Sequence, residues 1–112
     1  MADYTIKSHD RLPSIQADLS DGPGVPAPLA SAMSVRFVMR LASGGAATKV
    51  NAPAVIVDAA KGTVRYDWSA ADLDTPGSYQ AEWPVLYTGG LPRTYPTATY
   101  HTIDVVNDLD GM

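Results

Sequence analysis

The segment Gly62–Val85, GTVRYDWSAADLDTPGSYQAEWPV, constrains the fold of this chain more than any other stretch. Val64, Tyr66 and Trp68 alternate along its first part, and Tyr79, Ala81, Trp83 and Val85 along its last. Successive side chains on a strand point to opposite faces, so each set occupies one face of a sheet. Trp68 and Trp83 fall in phase with Tyr66 and Val85, which places both indoles in the core. Between the strands, Ser69-Ala-Ala-Asp72 reads as a capping box for one short helical turn at 69–73. Asp74-Thr-Pro-Gly77 then stops that turn and redirects the chain.

A strand, an Asp-x-x-Gly turn and a Tyr at the start of the next strand resemble the corner of an immunoglobulin-like sandwich, where the Tyr bonds back to the backbone. Trp68, Asp74, Gly77, Tyr79 and Trp83 are the expected structural residues of that corner. Ala81 stands where a true immunoglobulin domain has its second Cys.

The rest of the chain reads as short strands. Tyr4–Lys7 is a short first strand or an ordered arm. Ile15, Ala17 and Leu19 alternate over 14–20, and Val35, Phe37, Met39 and Leu41 over Met33–Leu41. Arg36 and Arg40 share the opposite face, either to meet a carboxylate-bearing partner or, more plainly, as a solvated face. Val55–Val57 is a short buried strand, and Thr99–Val106 is the last. Asp21–Pro28, DGPGVPAP, is a Pro/Gly loop in which a helix is excluded. Asn51-Ala-Pro53 is a break, and Gly89-Gly90 is a turn before the extended Leu91–Pro96. Pro84 cannot donate to a ladder, so its strand is an edge or is bulged there. The expected fold class is all-β: an immunoglobulin-like antiparallel β-sandwich of about seven or eight strands with one short helical turn. Residues 1–8 form an arm or first strand, 9–106 the sandwich, and 107–112 a flexible tail.

Composition supports a loop-rich β protein. Of twelve acidic residues only Glu82 is Glu, and Asp favours turns where Glu favours helices. The formal charge of −4 with no basic stripe argues against nucleic acid as a partner. No apolar run approaches the ~20 residues of a membrane span, and no secretory leader is visible. A chain starting at Met1 reads as an intact gene product made in a cytoplasm.

Chemistry is sparse. Without Cys there is no disulfide, thiolate metal site or Cys nucleophile. His9 and His101 fit no metal spacing, and His101 reads as structural. Asp108-x-Asp110-Gly111 begins like a calcium loop but lacks the downstream ligands. Asp72 and Asp74 read as a cap and a turn rather than as paired catalytic acids. No cofactor, no metal and no catalytic residue is expected. Tyr87, Tyr95 and Tyr100 are candidates for a sugar-stacking platform; filling core corners or an interface is the other reading.

The ordered set P-x-I-x-A-x-L-x-D-G (Pro13–Gly22), V-x-F-x-M-R (Val35–Arg40), G-T-V-x-Y-x-W (Gly62–Trp68), G-x-Y-x-A-E-W-x-V (Gly77–Val85) and T-Y-P (Thr94–Pro96) resembles the amino-terminal domain of phage baseplate upper proteins. The resemblance spans about residues 9–106. It implies a β-sandwich of a tailed-phage virion that docks by surface complementarity to other virion proteins in a symmetric multimer. It carries no catalytic residue over. Family members continue into an arm that holds a receptor-binding module; this chain ends at Met112 and resembles the docking module alone. The expected placement is the tail, baseplate or neck; capsid decoration and carbohydrate binding for host adsorption are the alternative roles. The expected contact residues are Tyr4, Ile6, Pro23, Val25, Pro26, Leu91, Pro92 and Tyr95, on the Met1–Asp10 arm, the Asp21–Pro28 loop and the Gly89–Pro96 segment.

Overall fold

Alternating apolar positions along this chain form eleven strands, seen in a computed structural model that describes residues 4–22, 24–42, 48–96 and 101–107. They are β1 (Tyr4–Lys7), β2 (Ile15–Asp18), β3 (Ser20–Gly22), β4 (Val25–Pro26), β5 (Ala32–Leu41), β6 (Thr48–Pro53), β7 (Val55–Asp58), β8 (Thr63–Tyr66), β9 (Gly77–Tyr87), β10 (Leu91–Tyr95) and β11 (His101–Val106). The larger sheet runs β1-β11-β9-β5-β6, with β10 also paired to β9. The smaller sheet runs β2-β8-β7, and β3-β4 is a separate hairpin. All pairs are antiparallel except β1 with β11. The sheets pack in a sandwich-like all-β arrangement.

The inward residues of the two sheets meet around Phe37. Its ring stacks on Tyr66 from the smaller sheet, with centroids 4.8 Å apart and planes at 15°. Trp83 leans on it at 4.8 Å, and Trp68 meets it edge-on at 5.6 Å. Val35, Met39, Tyr79, Ala81, Val85, Ile15, Ala17 and Val64 complete the layer. Offset and edge-on aromatic pairs each contribute about 0.5–1.5 kcal/mol beyond the area they bury. Ala81 is buried in the same layer.

β9 is the central strand, a correction to the reading of Pro84 as marking an edge or a bulge. β5 lies on one flank, while β11 pairs Gly77–Ala81 and β10 pairs Trp83–Tyr87 on the other. Pro84 is tolerated because the β5 register passes from Val35↔Val85 to Val38↔Glu82 with no bridge between; the missing donor falls in that gap.

Four further segments differ from the sequence reading. Val55–Val57, expected to be buried, is an edge strand with Val55 and Val57 exposed and only Ile56 half-buried. Thr48–Pro53, expected to contain a break at 51–53, is strand β6, paired with β5 at the edge of the larger sheet. Pro53 is its last residue, where no ladder donor is needed. The Pro/Gly loop contains the β3–β4 hairpin, and a single 3-10 turn follows at Leu29–Ser31. Residues 70–73 form a hydrogen-bonded turn, closed by Asp72 N–H donating to Ser69 O at 3.1 Å. Its reverse cap is present: Ser69 N–H donates to Asp72 Oδ2 at 2.7 Å.

Candidate docking surfaces

The corner residues converge on one end of the core. Tyr79 is buried, and its hydroxyl donates to Thr75 O at 2.7 Å. Asp74 pairs with Lys49 of β6 and also accepts from the Thr75 hydroxyl. The Lys49 ammonium holds the Asp74 carboxyl below its usual range. The corner is thereby tied to both β9 and β6. Trp68 Nε1–H donates to Pro13 O at 3.1 Å, and Arg11 donates to Trp68 O at 3.0 Å. Trp83 is fully buried, and a Cβ added at Gly77 would meet the Leu41 side chain at 3.3 Å. Tyr66 donates to Asp72 Oδ2 at 2.5 Å. Burial first, then this bond, pushes its phenol up to about 12.

The opposite pole carries two hairpins braced against each other. One is β3–β4; the other is β9–β10, whose turn uses Gly89 and Gly90 at positive φ (87° and 76°). Asp21 of β3 accepts a bond from the Tyr95 hydroxyl at 2.8 Å and pairs with Arg93 at 3.2 Å. The Tyr87 and Tyr95 hydroxyls lie 2.8 Å apart. Thr88 donates through both its N–H and its hydroxyl to Ser31 O at 3.0 Å. Tyr95 therefore stays a neutral donor: burial first, then its bonds to Tyr87 and Asp21, raise its pKa.

Between the hairpins lies a groove of about 380 Å³, walled by Asp21, Pro28, Tyr87, Leu91, Pro92 and Arg93. A second groove of about 330 Å³ flanks β4 and includes Val25, Pro26 and Lys61. Leu91 is 65% exposed and Val25 52%, so each hairpin presents an aliphatic side chain to solvent.

Of the residues expected to make contacts, Val25 and Pro26 lie exposed at the groove beside β4, and Leu91 and Pro92 lie exposed at the groove between the hairpins. Tyr95 is a correction: at 1% exposure it is a strut inside the pole, because its hydroxyl satisfies Asp21 and Tyr87. It lines the groove but offers almost no surface of its own to a partner or a sugar. Tyr4 and Ile6 are half-buried on β1, at the edge of the larger sheet and away from the pole. Tyr4 donates to Gln16 O at 2.6 Å and meets His101 edge-on. Pro23, Tyr100, Asp108 and Asp110 lie outside the described residues. The bracing by Asp21, Tyr87 and Arg93 was not legible: Tyr95 and Asp21 are 74 positions apart, and no periodicity links them.

A model of the BppU N-terminal domain matches residues 14–105, most of the chain. The chain belongs to this family. Its fold, an all-β sandwich, and the family together make it a structural protein of a phage baseplate, located in the virion. The BppU match begins at Ser14, so β1 precedes the matched span. It includes the corner and both hairpins of the pole. No individual curated protein matches the chain. No helix among the described residues is long and apolar enough to cross a membrane.

Proposed function

We propose that the chain is a non-catalytic docking module of the baseplate. It joins other virion proteins in a symmetric assembly through the pole built by the β3–β4 and β9–β10 hairpins. The observation that carries this reading is the exposure of Val25 and Leu91 on hairpins fixed by the Arg93–Asp21–Tyr95 brace. A surface already ordered loses little freedom on binding, so more of its contact energy appears as affinity. The acids that suggested chemistry are occupied: Asp72 caps Ser69 and receives Tyr66, and Asp74 holds Lys49. Both serve the corner, which supports a structural rather than catalytic role.

The test is genetic complementation with the double variant Val25→Asp/Leu91→Asp in a phage lacking the gene. Both side chains point to solvent, so the fold should survive, as circular dichroism would show. Incorporation into particles should fall by about 30-fold or more if the two residues are central to the interface. Normal incorporation of the folded variant would remove the pole from consideration.

A further inference from the structure

The outer face of the larger sheet is a surface separate from the pole. On it, Arg36, Val38 and Arg40 of β5 lie beside Pro84, Glu82 and Gln80 of β9, with Asn51 of β6 opposite Val38. Val38 is only half-buried, and nothing among the described residues covers it. It floors a hollow of about 180 Å³ whose walls include Arg40 and Glu82. Arg36 is occupied, donating to the Asn51 side chain at 2.9 Å and its backbone at 3.0 Å. Arg40 and Glu82 have no bonded partner among the described residues. The ion pairs among the described residues are Lys49–Asp74, Arg65–Asp67 and Arg93–Asp21. Arg40 sits opposite Gln80 and Glu82 opposite Val38, so the two are diagonal neighbours on one face, unlike in charge and not bonded to each other.

We infer that this face pairs with the same face of a second copy across a two-fold axis. A two-fold lying in the interface and bisecting the Arg40–Glu82 line brings Arg40 of each copy onto Glu82 of the other. The contact is isologous, so each favourable pair occurs twice. The two copies of Val38 meet at its centre, between the reciprocal pairs. The whole face offers about 600 Å² per copy, ten residues of β5 at ~3.3 Å rise across about four strands at ~4.8 Å spacing. A two-fold near the Arg40 end of β5 crosses the strands of the two copies, so only part of that face is shared and the contact belongs to the small, weak class of interfaces below about 1,200 Å². Exposed ion pairs are individually weak, so the association belongs to the high local concentration of an assembly.

The experiment is sedimentation of the full chain at concentrations up to about 1 mM, with Arg40→Glu and Glu82→Arg made separately. The wild type should shift from monomer toward dimer with concentration. Each single variant sets like charges against each other twice and should associate at least about tenfold more weakly. An equimolar mixture of the two variants restores both pairs between unlike molecules and should associate again. The Val25→Asp/Leu91→Asp variant should dimerise as the wild type does, which separates this face from the pole. If either reversal fails to fold, Arg40→Gln and Glu82→Gln replace it, each with weakened association expected. A wild type that stays monomeric throughout overturns the inference. So does a mixture that associates no better than its components, or neutral variants that associate unchanged.

Discussion

Tyr95→Phe isolates the bond network that orders the docking pole. The ring stays in its buried site, so no cavity forms; only the hydroxyl is lost. That hydroxyl donates to Asp21 at 2.8 Å and lies 2.8 Å from the Tyr87 hydroxyl. A bond to a carboxylate contributes about 1.5–3 kcal/mol and a neutral one about 0.5–1.5 kcal/mol. Two compensations reduce the sum. Asp21 keeps Arg93 at 3.2 Å, and Tyr87 is only half-buried and regains a partner in water. The expected net loss is about 2 kcal/mol. With an unfolding entropy of ~2.1 cal/mol/K per residue over 112 residues, the melting temperature falls by about 8 °C. Urea unfolding followed by tryptophan fluorescence gives the free energy, and hydrogen exchange locates it. Protection should drop first in β3, β4 and β10, with β5 and β9 little changed. The double variant Asp21→Asn/Tyr95→Phe should show a coupling of about 1 kcal/mol. A stability change under about 0.5 kcal/mol with uniform protection would refute the brace as the source of order at the pole.

Tyr79→Phe removes the corner bond to Thr75 O and should destabilise by about 1 kcal/mol; a calorimetric change near zero would show that the ring alone makes the corner. Gly62→Ala should destabilise by about 3 kcal/mol or more, because Gly62 has φ +72° and a Cβ there would lie 2.5 Å from Leu19 O; a near-native midpoint in urea would contradict the close approach. Stability should be flat from about pH 6 to about pH 10 and decline as pH rises toward 12. Tyr66, pushed up to about 12, keeps its proton when the unfolded chain has lost it, and Tyr79 and Tyr95 are raised in the same direction. Unfolding midpoints that do not change across that window, or a Tyr66→Phe variant with an equally steep decline, would count against burial as the cause.

Much of the sandwich was legible because its determinants are local. Period-two alternation in Val35–Leu41, Val64–Trp68 and Tyr79–Val85 sets which side chains face inward, and the structure buries Val35, Phe37, Met39, Val64, Tyr66, Trp68, Tyr79, Ala81, Trp83 and Val85. β6 was not legible: Asn51 and Pro53 suppress strand propensity, and only pairing with β5 supplies the missing stabilisation. Pro84 was read against the centre of a sheet because its lost donor is visible in the sequence, while the gap in the ladder that accommodates it is not.

The sequence by itself determined the layers, the aromatic core, the corner and the family, since each depends on residues a few positions apart or on the order of motifs along the chain. Tertiary structure alone decided what those layers present to a partner. It turned Tyr95 from a contact into a buried strut, braced the hairpins that carry Val25 and Leu91 against each other, and left Arg40 and Glu82 without a bonded partner among the described residues. Each of these depends on which strands become neighbours, and that is fixed by burial of the whole core rather than by any local preference.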